Sequence, residues 1–173
     1  MKKKKNARFA LIAVLSLAVL IFFDQFTKHL AAASLKGRPS VVLIPGVLQL
    51  QYLENRGAAF GSLQGMQTVF WVLTTLFLAA AVLFFIRMPK TKRYIPLASC
   101  CTVLVAGAAG NFIDRIVNQY VIDFIYFSVI DFPIFNVADI YITLSFIGIL
   151  LLIFFYYEDG DFQFLKRKKS DRA

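Results

Sequence analysis

The chain is short of the residues that most soluble enzymes use for chemistry: it has 1 histidine, 2 cysteines and 10 carboxylates in 173 residues. His29 alone cannot build a zinc site of His and Cys ligands. No nucleophile motif lies near it for a histidine-dependent serine or cysteine mechanism. Cys100 and Cys101 are neighbours in an apolar stretch with no third thiol. They read as reduced filling of a helix face, and no disulfide framework is expected. A Ser-Lys dyad would have to use Lys28 or Lys36, and neither stands near a motif-bearing serine. There is no H-E-x-x-H and no phosphate-cradling glycine loop. Internal repeats and low-complexity linkers are missing as well.

What the chain has in excess is hydrocarbon. Hydrophobic residues make up 59% of it, with 19 Phe, well above the share in an ordinary soluble domain. Four runs, roughly 9–30, 68–86, 94–112 and 137–157, are long enough to cross about 30 Å of hydrocarbon at ~1.5 Å per helical residue. Of the 19 Lys and Arg, 14 fall in clusters at 2–8, 87–93 and 166–172, each beside an apolar run. That is the pattern of basic loops retained in the cytoplasm. The net charge of +9 is therefore assigned to topology, with incidental contact to anionic lipid heads, and not to nucleic acid. The expected architecture is one integral membrane domain over 1–173: an all-α bundle of four transmembrane helices, both termini cytoplasmic, with a tail at 158–173. A cleavable signal peptide is the rival for the first segment. Asp24, Gln25 and Lys28 intrude between the apolar run and Ala31-Ala-Ala33, so the segment is kept as a span.

Two outer segments remain, 34–67 and 116–135. The second is apolar and nearly span-length, but a fifth crossing would put the tail Lys166-Arg-Lys-Lys169 outside. It is expected as an interfacial loop between helices 3 and 4. Its stretch 121–127 is rich in β-branched and aromatic residues, so a short extended piece is expected there. In the first segment, 47–54 partly alternates apolar and polar residues, the period of a half-buried strand. Gly57 and Gly61 follow and permit sharp turns. A small extracytoplasmic β platform over 39–61 and the loop over 116–133 are expected to clamp a substrate from above.

Ionisable groups in or at the rim of spans are costly and are functional candidates by default. Asp24, Glu54, Asp114, Asp123, Asp131 and Asp139 all map to the outer half, whereas Glu158, Asp159, Asp161 and Asp171 follow the last span and read as solvated surface. A transporter using acids as a proton relay is the alternative reading, but its acids belong near the midplane. Here they gather at one face. A scaffold without chemistry has no need of two acids at an apolar rim.

Asp24 and Lys28 share a helix face and can pair, either anchoring the helix end or bracing a site; bracing is preferred. The third span ends Ala106-Gly-Ala-Ala-Gly-Asn-Phe-Ile-Asp-Arg115. Small residues at 106 and 110 let a neighbouring helix approach, and Asn111, Asp114 and Arg115 sit at the rim. Packing and a capped end would explain this. Asp114 with Arg115 would also place a guanidinium where a lipid phosphate or peptide carbonyl can be held. Asn136 suits an N-cap, and Asp139 suits the positive end of the helix dipole. Asp123 is a charge in an apolar strand. The stretch between them contains Pro133 and can double back, so the two carboxyls can meet and share a proton. That is the machinery of an aspartic peptidase: one member activates water, and the other polarises the scissile carbonyl. The dipole points to Asp139 as base and Asp123 as acid.

Together, Asp24-Gln-Phe-Thr-Lys28, Asn55-Arg-Gly-Ala-Ala-Phe-Gly61, Gly110-Asn-Phe-Ile-Asp-Arg115, Val121-Ile-Asp-Phe124 and Phe135-Asn-Val-Ala-Asp139 resemble the bacterial lipoprotein signal peptidases, or signal peptidase II, in content and order. The resemblance implies cleavage of prolipoprotein signal peptides just before a diacylglyceryl-modified cysteine, at the outer face of the bacterial cytoplasmic membrane. It implies Asp123 and Asp139 as the catalytic pair, without metal or cofactor. It implies that Asn55, Asn111, Arg115 and Asn136 surround the pair and help hold substrate, with Gly57 and Ala138 supporting inside the same blocks. The partners it implies are the lipidated substrates and membrane lipids, with the enzyme as a monomer.

Overall fold

A computed structural model of the chain describes residues 2–57 and 67–165. Gly61 and the basic tail at 166–172 lie outside the described residues, as do the side chains of Lys2 to Lys5. Among the described residues there are four long helices: α1 (Lys2–Leu35), α2 (Gln67–Arg87), α3 (Ile95–Val117) and α4 (Val137–Phe155). All four are long and apolar enough to cross a membrane. Helices are the elements expected where no water can satisfy backbone groups. Their outward faces carry bare hydrocarbon: Phe22 on α1, Leu76 on α2 and Phe154 on α4 are all exposed. Such a surface is stable against lipid and not against water. The chain is a multi-pass membrane protein.

The helix ends have local causes. Pro96 stands in the first turn of α3, where its missing N–H is harmless. Asn136 caps α4, accepting from the Asp139 N–H while the Asp139 carboxylate accepts from the Asn136 N–H, the reciprocal capping box. α3 is the hub, packed against α4, α1 and α2. Gly107 makes its contact with α4 possible: a Cβ there would lie 2.5 Å from the Ala138 carbonyl and 2.8 Å from Ile142 Cγ1.

A three-stranded antiparallel sheet covers one end of the bundle, in the order β1 (Val41–Ile44), β2 (Leu48–Asn55), β3 (Val121–Phe127). β2 meets β3 with Leu48 opposite Phe127, Leu53 opposite Asp123 and Asn55 opposite Val121. The short extended piece expected at 121–127 is present as β3. α3 continues to Val117, and β3 is a sheet strand hydrogen-bonded to β2. An unpaired β2 edge would leave a row of backbone donors and acceptors open, and β3 satisfies them. Ala31 and Leu35 of α1 pack with Ile122 and Phe124 of β3, fixing the sheet to the bundle.

The opposite end is closed by Met88, Tyr94, Leu97, Ala98 and Tyr157. The segment Asp159–Leu165 folds back onto it. Asp161 is not solvated surface, as its position after the last span had implied. It takes a two-pronged pair from Arg93 (Nε 2.7 Å), and its carbonyl accepts from the Tyr94 hydroxyl at 2.6 Å.

Candidate active site

Where the sheet meets α3 and α4, four side chains converge around a cavity of about 890 Å³: Asn55 from β2, Asp123 from β3, Asn111 from α3 and Asp139 from α4. Leu48, Ile125 and Phe127 of the sheet, Phe132 beyond it, and Ile140 and Leu144 of α4 give the rest of the cavity an apolar wall.

The two carboxylates are tied into one hydrogen-bond chain through Asn136. Its Nδ2 donates to Asp123 Oδ1 (2.6 Å) and to Asn111 Oδ1 (3.1 Å), and its Oδ1 accepts from the Asp139 N–H (3.0 Å). Asp139 Oδ1 accepts from Asn111 Nδ2 (2.8 Å), and its Oδ2 accepts from the Asn136 N–H (3.1 Å). Asp123 Oδ2 accepts from Asn55 Nδ2 (2.9 Å). Asn55 is held in turn, since its own Oδ1 accepts from the Gly57 N–H (3.0 Å), so its amide group can face Asp123 in one sense only. Asp123 is buried, while Asp139 is half-buried and open to the cavity. Desolvation, with the Asp139 charge adding to it, pushes the Asp123 carboxyl from 3.8 up to about 7. Burial disfavours the charged form, and a nearby like charge does the same.

Behind this layer lies a buried charge cluster. Lys28 Nζ sits 3.0 Å from Asp24 Oδ2, 3.1 Å from Asp114 Oδ2 and 2.8 Å from Asn111 Oδ1. The far oxygen of Asp24 accepts the Ala138 N–H at 2.9 Å, and Asp114 Oδ2 accepts the Ile122 N–H at 3.1 Å. Ala138 precedes Asp139, and Ile122 precedes Asp123. One ammonium therefore anchors two carboxylates, each of which holds the backbone immediately before one of the paired aspartates.

Comparison with known proteins agrees with the motif blocks. The family profile described as Signal peptidase (SPase) II matches residues 16–156. The chain belongs to the signal peptidase II family. It is 40% identical over 138 residues to the lipoprotein signal peptidase of Streptococcus thermophilus (strain CNRZ 1066), covering 80% of this chain and 87% of the relative. It is 38% identical over 154 residues to that of Streptococcus pyogenes serotype M5 (strain Manfredo), covering 86% and 95%. A solved bacterial membrane enzyme, determined by the in meso method at 1.9 Å resolution, superposes with a TM-score of 0.73 at 36% identity, covering 84% of this chain and 94% of that one.

In this member of the family, Asn55, Asn111 and Arg115 line the cavity with the aspartates. Asn136 and Ala138 are fully buried just behind it, and Gly57 is buried beside Asn55. The pairing of Asp24 with Lys28 is present, as a buried cluster and not as an anchor at the interface. Asp114 and Arg115 point to different partners. Successive helix positions diverge by about a quarter turn, so Asp114 turns back to Lys28. Arg115 instead turns to the cavity, lying 4.6 Å over the Phe70 ring and donating to the Gly57 carbonyl at 3.5 Å.

Sequence reasoning missed two residues. Gln25 Nε2 donates to Asp24 (3.1 Å), to the Gly110 carbonyl (3.1 Å) and to Asp114 Oδ1 (3.0 Å), stitching α1 to α3. Its signal was an amide inside an apolar run. Gly110, read only as a packing residue, faces the Asp24 carboxylate so closely that a Cβ would overlap it. Among the described residues, no group of three or more His, Cys, Asp or Glu is gathered as a metal site.

Proposed function

We propose that the chain is an aspartic endopeptidase that removes signal peptides from prolipoproteins, hydrolysing the bond before a diacylglyceryl-modified cysteine. The observation that carries this reading is the single hydrogen-bond chain joining Asp123, Asn136 and Asp139 at the head of a largely apolar cavity. In this reading Asp139, at the N-terminus of α4 with two donors on its oxygens, is the ionised base. It takes a proton from a water, and the resulting hydroxide adds to the scissile carbonyl. Asp123, the protonated partner, donates a hydrogen bond to the carbonyl oxygen and supplies its proton to the leaving nitrogen as the C–N bond breaks. The products are a signal peptide with a new carboxyl end and a lipoprotein with a free α-amino group on its cysteine. Arg115 and Asn55, at the cavity wall, hold the peptide.

The sheet end faces outward across the cytoplasmic membrane in this reading. The basic residues Arg87, Lys90, Lys92 and Arg93 at the opposite end then stay in the cytoplasm with both termini, as the positive-inside rule requires. The apolar cavity wall takes the lipidated cysteine at the level of the membrane surface, with the enzyme acting as a monomer.

The test is cleavage by purified protein in detergent of one prolipoprotein prepared with and without its diacylglyceryl group, with product masses recorded. Cleavage of the modified form alone, with the new amino terminus at the modified cysteine, is expected. Equal rates on both forms would remove the lipid requirement, and no cleavage of either would remove the reading.

A further inference from the structure

The sheet is polarised along its length. Near the aspartates it carries charge: Lys36 pairs with Glu54 at 2.8 Å, Arg56 pairs with the same carboxylate at 3.3 Å, and both cations lie over the Tyr120 ring. At the far end there is one exposed carboxylate, Asp131, at the border of the turn. Residues 41–48 and 127–130 contain no ionisable side chain, and the next one, Asp131, accepts a hydrogen bond from the Tyr126 hydroxyl at 2.7 Å. β1 is apolar on both faces, with Val42 53% and Ile44 50% exposed, and the turn after β3 adds Val129 at 60% and Ile130 at 70%. These are two tips of one surface, because the Ser128 N–H donates to the Val47 carbonyl at 2.9 Å.

We propose that these two adjoining tips, the β1–β2 hairpin and the turn at 128–130, dip into the hydrocarbon boundary of the leaflet at the sheet end. In water, a bare apolar edge strand would template aggregation. Here it continues a surface that already faces lipid. Leu48 and Phe127, at the far end of the sheet, share the cavity wall with Ile140 and Leu144 of α4, and Leu144 is itself an outward-facing residue of a membrane-spanning helix. The apolar end of the sheet and the lipid-facing side of α4 thus border one cavity. Lipid is the occupant that matches an apolar surface next to that belt, with the single carboxylate of Asp131 at its border; interfacial elements bind in proportion to buried apolar area. Inserted tips would hold the cavity mouth against the leaflet, so that a substrate bearing acyl chains passes to the aspartates without leaving lipid. That consequence rests on the proposed lipidated substrate, whereas the insertion does not.

Trp71 is the single tryptophan, and its indole N–H has no hydrogen-bond partner among the described residues. Trp71→Phe therefore gives a silent background for Ile130→Trp or Val42→Trp. In bilayers whose acyl chains carry bromine, each new tryptophan should emit at short wavelength and be quenched to an extent comparable with Trp71 of the unaltered protein. Water-like emission without quenching overturns the proposal. A blue shift without quenching that grows with the protein-to-lipid ratio also overturns it, because it places a second copy of the chain on the tips. The Val129→Asp, Ile130→Asp double variant adds a functional arm. Cleavage should fall about tenfold in bilayers, given the cost of charge near the membrane boundary, and change less than about twofold in detergent. An equal loss in both media would mean that the tips serve the catalytic fold, against the proposal.

Discussion

Removing the ammonium of Lys28 should damage both the fold and the rate, and Lys28→Met isolates the effect because it keeps the length of the side chain. Two carboxylates, both almost fully buried, lie 3.0 and 3.1 Å from that nitrogen. At an effective dielectric of about 20, unit charges at such a distance attract by roughly 5 kcal/mol. The desolvation that opposes this attraction has already been met in the folded state. Breaking a buried pair from one side typically costs about 3–5 kcal/mol, a large part of a total stability of about 5–15 kcal/mol. The remaining carboxylates repel each other, and the amides of Ala138 and Ile122 lose their fixed acceptors. Displacements of about 1 Å at reacting groups can cost roughly 100-fold in rate, so cleavage should fall at least that far. Adding Asp114→Asn to Lys28→Met removes the surplus charge and keeps an oxygen for the Ile122 N–H. The double variant should regain about 1–3 kcal/mol over the single one. Thermal unfolding in detergent followed by Trp71 fluorescence, together with cleavage rates, measures both effects. If the single and double variants unfold at the same temperature, or if Lys28→Met matches the wild type, the bracing argument is wrong.

Other outcomes follow from the same geometry. With Asp123 held up to about 7 from 3.8, the protonated form is lost as pH rises through 7, so kcat/KM should fall there. Because the folded value is raised, this group's contribution to stability is complete below about 3.8, falls between there and about 7, and is gone above it. Asn55→Ala removes a hydrogen bond that favours the carboxylate, so the falling limb of the kcat/KM profile should move to higher pH. Gly110→Ala drives a methyl group into the Asp24 carboxylate and should abolish cleavage, whereas Gly160→Ala, with nothing within 4 Å, should leave rate and unfolding midpoint unchanged. Asp161→Asn weakens the pair with Arg93 at the far end of the bundle, so the unfolding midpoint should drop while the cleavage rate stays at the wild-type value.

The four helices were legible because long apolar runs between basic clusters have one stable solution in lipid. Asp24, Lys28, Asn111, Asp123 and Asp139 were legible because polar groups in such runs need partners, and spacing already pointed to some of them. The capping box at Asn136 followed from two positions three apart. Two things were not legible. Which strand β2 pairs with depends on long-range register, and 121–127 has the same composition whether it lies on lipid or in a sheet. The direction of Asp114 depends on where helix α1 crosses α3, which is set by Gly110 and Gln25 and not by any local pattern. Asp161 was misread for a similar reason. An acid in a polar tail resembles solvated surface until the chain folds back and brings it to Arg93.

The most direct test of the central claim compares cleavage of a diacylglyceryl-modified prolipoprotein by the wild type, Asp123→Asn and Asp139→Asn. Asparagine keeps the size and planar shape of the side chain, exchanges one accepting oxygen for a donor, and removes the titrating proton. The account predicts that both variants fold with the wild-type unfolding profile and lose activity by orders of magnitude, about 1000-fold or more. A folded variant of either aspartate that cleaves at near the wild-type rate would contradict the paired-carboxylate mechanism.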